Sequence, residues 1–229
     1  MIGVIIVIGA VACAASGCRG QAVTIQGMNT VSTTSPAISK KAVVALLRGV
    51  NVGMSNPLQM GKLRGICGSL GLEDTVTYLQ SGNAIFRTKD IDLTEIHKEL
   101  ETTIKAECGF ESAIVLRTVA ELEAIVAANP FAGRADINPG RLVVTFLFQD
   151  PGDAGRAAVP SVETYGEEVF ALGRELYIYY VNGQGKTKLK ERHLNKVLGT
   201  TGTSRNWNTV TGVLELARNL EAGVISPPK

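Results

Sequence analysis

The chain is poor in the residues that usually build a catalytic or metal centre. Two histidines, four cysteines and one tryptophan are spread over 229 residues, and aromatics make up only 5%. His97 and His193 stand beside lysines, far from any Ser, Cys or Asp motif, so neither a triad nor a dyad can be read and both are taken as surface or boundary histidines. Cys13, Cys18, Cys67 and Cys108 include no CxxC pair and have no histidine at ligand spacing, which excludes an encoded zinc site or disulfide framework. An excess of one charge is also missing. The formal net charge is +2, too small on its own to mark a dedicated nucleic-acid binder.

No hydrophobic run is long enough to span a bilayer. The nearest is Met1 to Ala15, which ends in Ala15-Ser16-Gly17-Cys18 and resembles a bacterial lipoprotein cleavage site, but it is too short for a membrane span. A secretory signal should carry Lys or Arg ahead of its apolar region, whereas the first basic residue here is Arg19, behind it. Residues 20 to 39, rich in Thr, Ser and Gln, read as a disordered linker. The first forty residues are therefore expected to be a mis-set or dispensable leader, with Met28 or a nearby codon as the true start. The alternative is a lipoprotein signal that anchors the protein through Cys18. Cys67 and Cys108 fall within expected helices as buried thiols, which suits a reducing compartment, so a cytoplasmic location is expected.

From Lys41 the pattern becomes that of a folded α+β domain. Ala42 to Leu47 is a continuous apolar strand, and Leu63, Ile66, Cys67 and Leu70 mark one face of a helix over 58–70 that stops at Gly71. Strands are predicted over 75–79 and 84–87, joined by a hairpin turn at Gln80-Ser81-Gly82-Asn83. Asp92-Leu93-Thr94-Glu95 is a capping box opening a helix with Leu93, Ile96, Leu100 and Ile104 on one face, ending at Gly109 and followed by a strand over 112–117. The order is β-α-β-β-α-β, the split-βαβ or ferredoxin-like plan.

A second capping box at Thr118-Val119-Ala120-Glu121 starts a helix with Leu122, Ile125 and Val126 that ends before Asn129-Pro130. The later pattern predicts a strand over 142–148, a hairpin of 168–172 and 175–181 turning at Gly173-Arg174, and helices near 188–198 and 208–221. The last of these turns Val210, Val213, Leu214 and Ala217 inward. Residues 150–160 fit a short helix or a loop. The expected organisation is a leader and linker (1–40), a ferredoxin-like subdomain (41–118) and a smaller α+β subdomain (119–229) packed on it, with no obvious internal repeat.

Three polar clusters stand out against this framework. Arg48-Gly49-Val50-Asn51-Val52-Gly53 follows an apolar strand with two glycines where backbone N–H groups can approach an anion, Arg48 offers a bidentate donor, and Asn51 can both donate and accept. Its bland reading is a glycine-rich connection, and G-x-N-x-G lacks the three-glycine dinucleotide fingerprint. Gln80-Ser81-Gly82-Asn83 is the second cluster. In the third, Ser204-Arg205-Asn206-Trp207-Asn208, Trp207 could stack on a base while Arg205 holds a phosphate, or Trp207 could be a core anchor with Asn208 capping the last helix. Gly183-Gln184-Gly185-Lys186-Thr187 invites a phosphate-loop reading, but the first glycine of that motif would have to stand at Tyr180. A looser anion site with Lys186, Lys188, Lys190, Arg192 and Lys196 is weighed there against a solvated basic face.

Taken together, Ala45 to Gly53, Tyr78 to Asn83, Asn129-Pro130-Phe131 and Ser204 to Thr209 resemble the bacterial domain-of-unknown-function 1697 family, in order, over about residues 41 to 220. The resemblance implies a compact α+β protein with a ferredoxin-like first half. It also implies that the three clusters and Thr187-Lys188-Leu189 are family signatures, and it implies no reaction. Two features depart from the family pattern: Met54, Ser55 and Pro57 replace the usual glycine and lysines after Gly53, and the leader precedes the first strand.

The function expected from all this is binding of a phosphate-bearing ligand, a nucleotide, nucleic acid or small anion, in a donor-rich cleft. Its residues would be Arg48, Gly49, Asn51, Gly53, Gln80, Ser81, Gly82, Asn83, Lys188, Arg205, Asn206 and Trp207, with neither cofactor nor metal. One competing reading is a transferase or hydrolase using Ser81 or Thr187 with Arg48 stabilising negative charge, although no base is evident. The other gives the motifs a purely structural role in turns and caps.

Overall fold

The structure, a computed structural model, describes residues 40–53, 55–89 and 92–225. The leader with Cys18, the linker and Met54 lie outside the described residues. The described residues pack as one compact unit. No described helix is long and apolar enough to cross a membrane.

The first half runs β1 (Lys41–Leu47), α1 (Met60–Ser69), β2 (Glu73–Thr77), β3 (Asn83–Thr88), α2 (Leu93–Cys108), β4 (Ile114–Thr118) and α3 (Val119–Ala127). Its four strands form an antiparallel sheet in the order β2-β3-β1-β4, the pairing that the split-βαβ order implies. The second half runs β5 (Leu142–Leu147), α4 (Gly152–Ala158), β6 (Glu168–Leu172), β7 (Glu175–Tyr179), α5 (Glu191–Leu198), β8 (Gly202–Asn206) and α6 (Trp207–Glu221). Its antiparallel order is β6-β7-β5-β8, so each half uses the same seven-element plan. The absence of a repeat expected from the sequence is thereby corrected at the level of topology.

That repeat was hidden because one of its strands does not look like one. Residues 202–206 read Gly-Thr-Ser-Arg-Asn and carry no apolar residue, so the sequence reading treats them only as the approach to a helix. They nevertheless pair along β5, Val144 facing Arg205 and Phe146 facing Thr203. Cross-strand neighbours and tertiary burial override weak strand propensity here. Other boundaries shift for local reasons. The second strand ends at Thr77, because Leu79 takes a left-handed φ of 57° and is exposed. The segment expected to be either helix or loop holds α4.

Strand alternation sorts the apolar residues into three cores. Ala42, Val44 and Leu46 of β1 and Leu142, Val144 and Phe146 of β5 share a central core with Leu122 and Ile125 of α3 and Val213 and Leu214 of α6. The opposite faces pack separately: Val43, Ala45 and Leu47 with α1 and α2, and Val143 and Leu147 with α5. At about 25 cal/mol per Å² of apolar area removed from water, this burial is the main force holding the halves together.

Several helix starts are explicit. Thr118 and Glu121 form a complete capping box at α3, with the Glu121 amide bonded to Thr118 Oγ1 and the Thr118 amide bonded to Glu121 Oε2. Asp92 caps α2 by accepting from the Thr94 amide. Gly109 ends α2 in the left-handed region, as expected of a C′ glycine.

Candidate functional site

The three clusters converge at the C-terminal end of β1, but mostly on one another. Asn51, left-handed at φ 53°, donates from Nδ2 to the carbonyls of Leu58 (2.8 Å) and Gln80 (2.7 Å) and accepts from the Leu58 amide (2.8 Å). Its side chain thus ties the glycine loop to the following turn. Asn83 opens β3 rather than closing the turn, and it is fully buried. Its Nδ2 donates to the Tyr78 carbonyl (2.7 Å) and to Ser81 Oγ (3.0 Å).

Arg205 joins this cluster from the second half. Its Nε donates to Asn83 Oδ1 at 2.5 Å, one terminal nitrogen donates to Thr203 Oγ1 and the Ser204 carbonyl, and the other to the carbonyls of Leu47, Ser81 and Gly82. All of these acceptors are neutral. Burial pushes the pKa of this guanidinium down to about 10, because desolvation disfavours the charged form, although it stays protonated at neutral pH. The phosphate grip expected of Arg205 is therefore corrected: its donors are spent inside the protein.

The other half contains the equivalent arrangement with different chemistry. Arg117 faces Val44 across β1 as Arg205 faces Val144 across β5, and Asn83 opens β3 as Glu175 opens β7. Arg117 donates to its own neighbour, the Leu116 carbonyl, as Arg205 does to Ser204. It reaches into the second half to Glu175 Oε1 at 2.8 Å, while Arg205 reaches into the first. The two crossings are reciprocal, like contacts across an isologous interface. One buried arginine has a carboxylate partner and the other has an amide.

The remaining expected residues divide into exposed and structural groups. Arg48 is exposed, donates to Thr201 Oγ1 (2.7 Å) and lies over the Phe148 ring at 5.8 Å. Gly49 and Gly53 are exposed and left-handed, and Gln80 and Ser81 are exposed in the turn before β3, to which Asn51 is bonded through the Gln80 carbonyl. Gly82 is buried at φ 74°, and a Cβ there would lie 2.4 Å from Val50 Cγ2. Asn206, not Asn208, caps α6, accepting from the amide and hydroxyl of Thr209, both at 2.9 Å. Trp207 is half-buried against the central core, which gives it the core-anchor role. Lys188 is exposed in the loop before α5 and makes no hydrogen bond to the cluster among the described residues.

Among the described residues neither the Ser81 nor the Thr187 hydroxyl has a carboxylate or imidazole as hydrogen-bond partner. Ser81 Oγ accepts from Asn83, and Thr187 Oγ1 accepts from the Leu189 amide. Among the described residues no group of three or more His, Cys, Asp or Glu is placed to hold a metal.

The sequence reading missed Arg117 and Glu175, and it also missed a groove of about 570 Å³ between α2, β4 and the second half, lined by His97, Glu101, Phe148 and Arg174. His97, read as a surface or boundary histidine, bonds through Nε2 to the Ile114 carbonyl (2.9 Å), and Glu101, one helical turn on, accepts from the Ile114 amide (3.0 Å). These two side chains occupy the open edge of β4, a device that blunts strand addition. The i, i+4 spacing of a histidine and a glutamate was the available signal.

Comparison with known proteins places the fold. The conserved bacterial protein SP0830 from Streptococcus pneumoniae is similar, with 23% identity, a TM-score of 0.58, and coverage of 78% of this chain and 99% of that one. At that identity the likeness shows the fold alone. No curated protein matches the chain. The model of a family described as proteins of unknown function, DUF1697, matches residues 41–177, more than half of the chain, and the chain therefore belongs to that family.

Proposed function

We propose that this protein binds a phosphate-bearing ligand, a nucleotide or nucleic-acid segment, on the rim formed by Arg48, Gly49, Gln80 and Ser81. The supporting observation is the uncompensated charge beneath that rim. Arg205 is 8% exposed and bonds only to neutral acceptors, whereas its counterpart Arg117 is paired with Glu175. A buried cation without a counter-charge raises the local potential, and an anion at the surface above it lowers the cost of burying the charge. Arg48 supplies direct donors at that surface, and the left-handed glycines let backbone N–H groups approach closely. Asn51, Asn83, Asn206 and Trp207 act in this reading as the frame of the rim and not as contacts to ligand. The free thiols Cys67 and Cys108 support action in a reducing compartment.

Thermal-shift measurement of the full chain against inorganic phosphate, nucleotides and oligonucleotides tests the reading. Stabilisation by at least one phosphate-bearing compound, lost in Arg48→Ala, is expected. A flat response across the whole panel removes the proposal. If an oligonucleotide binds, its affinity should fall steeply with salt as counterions are released.

A further inference from the structure

The groove beside α2 has a counterpart in the second half, and the two differ in an informative way. Glu101 stands eight residues before Gly109, which ends α2, and Glu191 stands eight residues before Gly199, which ends α5. Phe148 follows β5 as Arg48 follows β1. The amides of both are bonded at 2.9 Å in matching fashion, Phe148 to the Thr201 carbonyl and Arg48 to the Ala113 carbonyl. In the second half Arg48, Glu191 and Gly202 line a cavity of only about 10 Å³, so the corresponding space is filled and a guanidinium and the α5 glutamate both border it. In the first half the equivalent position carries Phe148, which has no charge, and the space is open at about 570 Å³. That volume lies within the range of small-molecule pockets.

The open groove has charges on two different walls. Glu101, on α2, uses Oε1 to hold the Ile114 amide and lies 3.2 Å from His97 Nε2 through the same atom, while its second oxygen has no hydrogen-bond partner among the described residues. Arg174 comes from the turn between β6 and β7 in the second half and makes one side-chain bond, to the Phe148 carbonyl at 3.1 Å. The nearby Asp150 carboxylate, which also feels the charge of Arg174, is bonded through Oδ1 to the Gly152 amide and Arg156. Leu93, Leu116 and Phe148 add apolar surface to the lining. Arg117 also lines the groove, but Glu175 neutralises it, and Glu121 is engaged in the α3 cap.

We infer that this groove binds a zwitterionic small molecule of the α-amino-acid class, its ammonium at Glu101 and its carboxylate at Arg174, with an apolar side chain against Phe148 and Leu116. The ammonium would bring to the Glu101 end of the groove a positive charge, where the closed counterpart has Arg48 among its lining residues. A guanidinium is suited to hold a carboxylate through two donors, and the apolar lining favours an uncharged side chain. The inference does not depend on the phosphate reading, although Arg48 of the rim lies over Phe148 of the groove.

The test is isothermal titration of the full chain with apolar L-amino acids, their N-acetyl derivatives and their amides. At least one free amino acid should bind, and both blocked forms should lose ten-fold or more in affinity. Glu101→Gln retains an acceptor for the Ile114 amide and so preserves the edge of β4, yet it should weaken binding ten-fold or more. Arg174→Gln should do the same. Absence of binding by every free amino acid overturns the inference, as does binding that is equal in blocked and free forms or unchanged in both groove variants.

Discussion

Arg205 Nε and Asn83 Oδ1 approach to 2.5 Å across the boundary between the two halves, and this contact lies at the centre of six hydrogen bonds from one guanidinium. Removing the guanidinium strands the amide oxygen of Asn83 and, among the described residues, leaves the Leu47 carbonyl only its bond from Thr203 Oγ1 at 3.2 Å. Arg205→Ala is therefore expected to destabilise the protein by about 1–3 kcal/mol or more, the cost of leaving buried neutral acceptors unsatisfied. Arg205→Lys should recover little of this, because an ammonium cannot reproduce the planar fork. Urea unfolding followed by circular dichroism measures both; a loss below about 1 kcal/mol would show that the contact carries no more than a single ordinary hydrogen bond.

Asn83→Asp gives Arg205 the carboxylate that Glu175 gives Arg117, and it removes the Nδ2 bonds to the Tyr78 carbonyl and Ser81 Oγ. The charge beneath the rim is then neutralised internally, and the affinity of whichever phosphate compound binds the parent protein should drop by an order of magnitude or more, about 1.4 kcal/mol. Titration calorimetry on parent and variant reads the difference. Unchanged affinity would separate the rim from the buried charge.

Gly82→Ala should be poorly tolerated for two reasons that act together. The backbone there is left-handed, and the added methyl would meet Val50 Cγ2 at 2.4 Å and Leu47 Cβ at 2.9 Å. Conformational strain costs about 1–3 kcal/mol and overpacking a similar amount. Gly53→Ala is the control, since it has the same backbone hand with nothing within 4 Å, and a melting experiment should show the smaller loss there.

The cap of α6 offers a test between two neighbouring asparagines. Asn206→Ala removes the acceptor for the Thr209 amide and hydroxyl and should cost about 1 kcal/mol. Asn208→Ala, one residue into the helix, should be close to neutral. Chemical denaturation of the two variants side by side decides it, and equal losses would contradict the cap assignment.

Burial pushes the Cys67 thiol up from 9.0 to about 12. In the unfolded chain it ionises from about pH 9, while in the folded protein it remains neutral, so its contribution to stability is complete below pH 9. That contribution is lost as pH rises from about 9 to 12, at up to about 1.4 kcal/mol per unit. Unfolding free energies at pH 8, 9, 10 and 11 should fall more steeply for the parent than for Cys67→Ala. Parallel slopes would mean that the thiol is not the group responsible.

The first half was legible in the sequence because its elements announce themselves locally. Ala42 to Leu47 is an unbroken apolar strand, Thr118 and Glu121 spell out a capping box, and Ile96, Leu100 and Ile104 recur at helical spacing on the buried face of α2. The second half was less so. Residues 202–206 lack every strand signal, and without that fourth strand the matching plan of the two halves cannot be seen. The location of the polar clusters was also legible, but their state was not: sequence marks Arg205 and Asn83 as hydrogen-bonding residues without saying that they satisfy each other.

The sequence by itself determined the helix and strand periods, the glycine positions where the chain must turn left-handed, and the α+β class, because each depends on residues a few positions apart. Tertiary structure decided which donors remain available to a ligand. Arg205 and Arg48 look alike as letters, yet one is desolvated 122 residues away from the asparagine it holds and the other stays in water above it. That difference arises from long-range packing of the second sheet against the end of β1, where burial requires every polar group to find a partner within the protein.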